Sequence, residues 1–133
     1  MTRYMLDTSI LSDLIRNPHG ATVRRIAEVG EGNVCTSIIV AAELRYGGAK
    51  SGSVKLTKAV ADMLEEIDVL PFEPPADEVY GAIRSSLEAA GTPIGSNDLL
   101  IAAHAKSLGA TIVTANTQEF GRVQGLAVEN WLA

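Results

Sequence analysis

Four polar residues stand at the ends or inside of apolar runs, and their types would do chemistry if the fold gathered them. Asp7 follows Tyr4-Met5-Leu6, Glu43 sits within Ile38–Tyr46, Asp98 opens the stretch that runs to Ala105, and Asn116 follows Ile112-Val113-Thr114. Ionised carboxylates brought together repel. At about 4 Å and an effective dielectric of about 20, each pair costs roughly 4 kcal/mol, so three pairs approach 12 kcal/mol. Protons or a divalent cation must relieve that charge. Oxygen donors without histidine or cysteine select Mg2+ or Mn2+ over zinc. A carboxylate-held Mg2+ that keeps its waters suits phosphoryl chemistry, because it activates a water and stabilises charge on phosphate oxygens.

Each residue also has a purely structural reading. Asp7 would serve as the N-cap of a first helix, and Asp98, just past Ser96, would favour a helix dipole. Asn116-Thr117-Gln118-Glu119 matches a capping box ahead of Phe120. Glu43 is harder to explain this way. Its helical neighbours are Ile39, Val40, Tyr46 and Gly47, which place it on the apolar face with no lysine or arginine in reach. A buried, unpaired carboxylate is costly, so Glu43 requires a partner from elsewhere in the fold; a solvated helix glutamate is the competing reading. One cluster at the carboxyl edge of a sheet accommodates all four.

The elements that would position them alternate between strand and helix patterns. Tyr4–Leu6 is a strand, Ile10–Arg16 a helix led by Asp7-Thr8-Ser9, and Ala21–Glu28 a second helix with Arg24 and Arg25 on its wet side, ended by Gly30 and Gly32. Val34–Thr36 is a strand, after which Ser37 caps a helix reaching the breakers Gly47 and Gly48. Ser53 caps Val54–Glu66, Ile67–Leu70 is strand-like, and Pro71 with Pro74-Pro75 turns the chain into Ala76–Ala90. After the loop Gly91–Gly95, Ser96 caps Asn97–Leu108 and Gly109 ends that helix. Ala110–Thr114 is the clearest strand, and Leu126–Val128 a last edge strand. This alternation predicts an α/β fold, a parallel sheet of four to five strands with helices on both faces. Ligands then bind beyond the carboxyl ends of the strands, where Asp7 and Asn116 fall.

Composition limits the alternatives. The 133 residues, 47% apolar and 20% charged, describe one globular domain over residues 1–133. No apolar run approaches the roughly 20 residues of a membrane span, and no signal-like segment leads the chain, so a cytoplasmic protein without membrane partners is expected. The lone Cys35 reads as a buried, reduced thiol. A net charge of −5 argues against gripping nucleic acid through bulk positive potential. Arg16, Arg24, Arg25, Lys50, Lys55 and Lys58 nonetheless lie in segments able to flank the sheet edge. The two histidines, His19 in a turn and His104 on a different helix face from Asp98, read as structural. That leaves no histidine acid–base pair for metal-free RNA cleavage.

Four segments together resemble the PIN-domain ribonucleases, and among them the VapC-type toxins of bacterial toxin–antitoxin pairs. They are Met5–Ser9, Ala42–Gly47, Gly91–Ala105 and Thr114–Phe120, and the likeness spans essentially the whole chain. The resemblance implies a three-layer α/β/α PIN-like domain and Mg2+-dependent endonucleolytic cleavage of RNA, with Mn2+ able to substitute. A water attacks in line and leaves a 5′-phosphate and a 3′-hydroxyl, typically on structured RNA such as tRNA. Its acidic metal ligands fall on Asp7, Glu43 and Asp98. The fourth acidic position falls on Asn116, an amide here, and Ser9 replaces the asparagine of the family's Asp-Thr-Asn. Both departures keep a first metal site and count against a second. Thr114 would orient the site through its hydroxyl. The resemblance also implies a cognate antitoxin whose tail lies in an apolar groove, and a homodimer. Leu11, Leu14 and Ile15 are candidate groove walls or core residues. Three rivals are a flap-type DNA nuclease, a catalytically weak PIN-fold binding module, and a haloacid-dehalogenase-like phosphatase. The last needs a second aspartate where Ser9 stands.

Overall fold

A computed structural model describes residues 2–133. Five strands form one parallel sheet in the order β3-β2-β1-β4-β5: β1 Tyr4–Leu6, β2 Val34–Ser37, β3 Asp68–Leu70, β4 Thr111–Val113 and β5 Val128–Glu129. The helices are α1 Thr8–Arg16, α2 Ala21–Val29, α3 Ile38–Ser51, α4 Val54–Glu66, α5 Ala76–Ala89, α6 Ser96–Ser107 and the single turn α7 Thr117–Phe120. The residues of β2 and β4, and Met5 and Leu6 of β1, are all buried, which requires helices on both faces. Successive strands step from β1 to β2 to β3, then the chain crosses back to β4. Right-handed crossovers therefore put α1–α4 on one face and α5–α6 on the other. The reversal falls between β1 and β4, so the crevice of the sheet opens beside Asp7 and Thr114. Asp7 N–H still donates to the Val113 carbonyl at 2.9 Å, carrying the β1–β4 pairing to the edge of the site.

Two helix ends depart from the sequence reading. α3 does not break at Gly47 and Gly48 but runs on to Ser51. Packing overrides propensity here: Gly48 is buried against α4, where an added Cβ would meet Thr57 Oγ1 at 3.3 Å and Thr57 Cα at 3.4 Å. The turn is made by Gly52, whose φ of 69° few side chains adopt. At α6 the N-cap is Gly95, not Ser96, and no side chain of that helix caps it. By contrast, Ser37 and Ser53 cap α3 and α4 through the N–H groups of Ile39 and Leu56, as expected.

Arg25 is also corrected. It does not point into water but lies over the Trp131 ring, 5.3 Å from its centroid, and pairs with Glu28 and Glu129. The guanidinium thereby ties α2 to the segment that carries Glu129 and Trp131. Leu11 is wholly buried core rather than groove wall. Leu14 instead lines a groove of about 410 Å³ with Val23, Ile26, Met63 and Ile67, to which Glu31 and Glu66 also contribute. No helix of the described residues is long and apolar enough to cross a membrane.

Candidate metal centre

Asp7 is 5% exposed and ends β1. Its Oδ1 accepts the Thr8 N–H at 2.7 Å, so it does cap α1, and its Oδ2 accepts the Thr114 hydroxyl at 2.7 Å. The second bond reaches from β4, which a cap alone would not need. The buried Thr36 hydroxyl donates to the Leu6 carbonyl at 2.6 Å and fixes the backbone just before the aspartate. Burial pushes the Asp7 carboxyl up, the bonds from Thr114 and Thr8 pull against it, and the charges of Glu43 and Glu119 add to the rise.

Glu43 finds the partners it requires. Its Oε1 accepts the Thr8 hydroxyl at 2.7 Å and its Oε2 the Asn97 amide at 3.2 Å. Thr8 thus serves two carboxylates, one through its N–H and one through its hydroxyl. The surroundings of Glu43 are less apolar than its neighbours in sequence imply, since Tyr46 and Gly47 are exposed while Val40 alone of that set is buried.

Asp98 enters from α6. Its Oδ2 accepts the Asn116 amide at 3.2 Å, and the same amide donates to Glu119. Asn116 does not cap α7 with its side chain, so the expected capping box is not formed. The amide faces the carboxylates instead, because they offer a stronger, charged acceptor. Glu119 turns outward from α7 and accepts the Gly95 N–H at 2.9 Å, supplying the cap that Ser96 does not. Glu119 is the site residue that sequence reasoning missed. Its signal, an acid three residues after Asn116, was absorbed by the capping-box pattern.

The charges of this cluster leave their mark on Asp98. Burial is the largest cause, followed by the hydrogen bond with Glu119 and the charges of Asp7, Glu119 and Glu43, and together they push it up to about 7. Glu119 moves the other way, held down by the Asp98 hydrogen bond, the Gly95 N–H, Asn116 and Arg122. Of the two carboxyls, Asp98 is the one that burial and its acidic neighbours make harder to ionise. The hydrogen bonds run from Asp7 in two directions: through Thr8 to Glu43 and on to Asn97, and through Thr114 to Asn116 and on to Asp98, the residue next to Asn97 on α6.

The donor chemistry of the cluster fits a hard divalent cation. Four carboxylates supply oxygen only, and the Arg122 charge acts on Glu119. Among the described residues no three acidic, histidine or cysteine side chains are drawn together closely enough to ligate one ion as they stand. Glu43 is turned to Thr8 and Asn97, and Asp98 to Asn116. Asn116→Asp would replace the one amide donor between Asp98 and Glu119 by another charge. We expect the metal-free protein to lose about 1 kcal/mol, the cost of an exposed donor exchanged for like-charge repulsion. Mg2+ should restore it, with tighter binding by calorimetry; an unchanged titration would remove Asn116 from the site.

The remaining candidates lie elsewhere. His19 is exposed in its turn, and Cys35 is buried with its thiol pushed up to about 11 by that burial. His104 is buried, shares a 2.7 Å hydrogen bond with Ser37 Oγ and meets the Phe72 ring edge-on. Burial holds its pKa below the ordinary value, against the Pro71 carbonyl and the Glu73 charge. The native state therefore resists protonating it, and its contribution to stability is lost as pH falls below the unfolded-state value of about 6.5. His104→Gln should flatten that acid-side slope in thermal melts across pH 5–7.

Comparison with known proteins agrees with the fold. A family model described as PIN domain matches residues 4–126. The chain is 41% identical to the tRNA(fMet)-specific endonuclease VapC of Shigella flexneri, over 98% of this chain and 99% of that protein. It is 38% identical to ribonuclease VapC2 of Haemophilus influenzae, over 99% and 100% respectively. Among solved structures it is similar to VapBC2 from Rickettsia felis bound to a DNA fragment from their promoter. There the TM-score is 0.89 and the identity 37%, over 98% of this chain and 99% of that one.

Proposed function

The chain belongs to the PIN domain family, and from that membership we propose that it is a Mg2+-dependent endoribonuclease, the toxin of a toxin–antitoxin pair. The observation that supports the proposal is the pair of hydrogen-bond chains leading from Asp7, one through Thr8 to Glu43 and one through Thr114 and Asn116 to Asp98, three carboxylates from separate chain segments. Asp7, Glu43 and Asp98 would hold the cation, and Mn2+ would substitute for Mg2+. When bound, the cation supplies Lewis acidity toward a phosphate oxygen and a lowered pKa for an attacking water. The protein's own groups do the positioning. Thr114 and the Thr8 N–H hold the Asp7 carboxylate in one orientation, and the Thr8 hydroxyl and Asn97 hold Glu43. Asn116 orients Asp98, and the hydrogen bonds from Gly95 and Asn116 favour the ionised form of Glu119 beside it. The products would be a 5′-phosphate and a 3′-hydroxyl.

Structured RNA such as tRNA is the proposed substrate, after the name of the Shigella flexneri relative. The similar solved structures are described as VapBC complexes, which supports a cognate antitoxin as partner. Its tail would lie in the groove of Leu14, Val23, Ile26, Met63 and Ile67, with Glu31 and Glu66 beside it. We extend the proposal to a cytoplasmic homodimer. The test is incubation of the purified, antitoxin-free chain with total tRNA, in Mg2+ or in EDTA, with the ends mapped. Cleavage that requires Mg2+ and leaves 5′-phosphates is expected. Cleavage of flapped or single-stranded DNA in place of RNA would replace this reading, and absence of metal binding would reduce the chain to a binding module.

A further inference from the structure

Arg45, Lys50, Lys55 and Lys58 fall between Leu44 and Ala61, a stretch without a carboxylate. The rest of the chain sets all sixteen acids against seven bases, so this hairpin between α3 and α4 is where a polyanion meets least repulsion. On α3, Glu43, Tyr46, Gly47 and Lys50 stand at i, i+3, i+4 and i+7, one face leading away from the carboxylates. Tyr46 is 65% exposed and is the one exposed aromatic among the described residues. The Lys50 ammonium lies 5.8 Å from the centre of its ring and enters no ion pair among the described residues. A Cβ at Gly47 would meet nothing within 4 Å, so the backbone beside the ring is open as well.

An exposed ring with a cation beside it is the chemistry by which proteins hold single-stranded nucleic acid without reading its sequence. We infer that this face of α3 binds the RNA strand next to the cleaved bond. An unpaired base stacks on Tyr46, and Lys50, then Lys55 at the start of α4, take the phosphates beyond it. Lys58 is partly occupied by Asp62, at 2.9 Å. Lys50 lies about 10 Å along the helix axis from Glu43, so the strand is gripped beside the acidic cluster and not upon it. This answers how a chain of net charge −5 retains a polyanion. The inference rests on the endoribonuclease reading.

Cleavage kinetics of tRNA in Mg2+ by Tyr46→Ala, Tyr46→Phe and Lys50→Ala test it, with the mass of each variant measured in solution. Tyr46→Ala is expected to raise KM about tenfold with the change confined to KM, as loss of one stacked base predicts. Tyr46→Phe should keep the wild-type KM, because the ring and not the hydroxyl is used. Lys50→Ala should lower the slope of log affinity against log salt by about 0.7, one phosphate contact on a single strand. An unchanged KM in Tyr46→Ala overturns the inference. So does a changed solution mass of that variant, which would place Tyr46 between two copies of the chain. If the wild type itself neither binds nor cleaves RNA, the nuclease reading falls and this one with it.

Discussion

Asp7→Asn should lower RNA cleavage by roughly a thousandfold, the scale on which one preorganised charge-stabilising group acts, while leaving the fold intact. The side chain is nearly isosteric, and its amide oxygen can still accept the Thr114 hydroxyl or the Thr8 N–H now held at 2.7 Å each. What disappears is the negative charge that a cation at the crevice between β1 and β4 requires. Asn is the informative replacement. Alanine would leave the buried Thr114 hydroxyl without its acceptor, a loss of about 1–3 kcal/mol that would confuse instability with inactivity. Single-turnover cleavage of tRNA beside a thermal melt separates the two. Wild-type activity in a folded Asp7→Asn protein would remove Asp7 from the reaction.

Asp98→Asn carries the second large effect, and its sign on stability is opposite to its sign on activity. Cleavage should again fall by roughly 10³-fold, since a ligand of the same proposed ion is lost. Stability should rise. In the folded chain the Asp98 carboxyl is pushed up from 3.8 to about 7 by burial and by its acidic neighbours, so folding opposes its ionisation. A raised carboxyl pKa contributes stability that is full below about 4 and is lost as pH rises through about 7. Three pH units would correspond to about 4 kcal/mol. Asp98 is only half-buried, and solvent screening reduces this to about 1–2 kcal/mol. In EDTA, the melting temperature of Asp98→Asn should therefore exceed that of wild type by a margin that grows from pH 4 to 7 and then levels. Mg2+ should remove the margin by stabilising wild type alone. Equal melting curves at pH 7.5 in EDTA would show that the acidic cluster is not under electrostatic strain.

The sequence alone determined the α/β class and the positions of the first four strands, and it marked Asp7, Glu43 and Asp98 as candidates, whereas the last strand is Val128–Glu129 and not Leu126–Val128. Those readings rest on local physics: Val and Ile runs bounded by turn residues read as buried strands, and Asp7 and Asp98 stand at the end of a strand and the start of a helix, whereas the apolar face expected around Glu43 is largely exposed. Ser37 and Ser53 were legible for the same reason, because a cap involves only the next turn of chain. Tertiary structure decided the rest. Gly47 and Gly48 read as breakers until α4 packs on Gly48, and Ser96 reads as a cap until Glu119 reaches across from α7 to the Gly95 N–H. The same contact withdraws Glu119 from the capping box and makes it the fourth acid beside Asp98. Asn116 likewise has two uses that its local pattern cannot rank, and the nearby charges of Asp98 and Glu119 settle it. Local propensity is a matter of tenths of a kcal/mol per residue, whereas a buried charge without a partner costs several, so where the two conflict the distant partner wins.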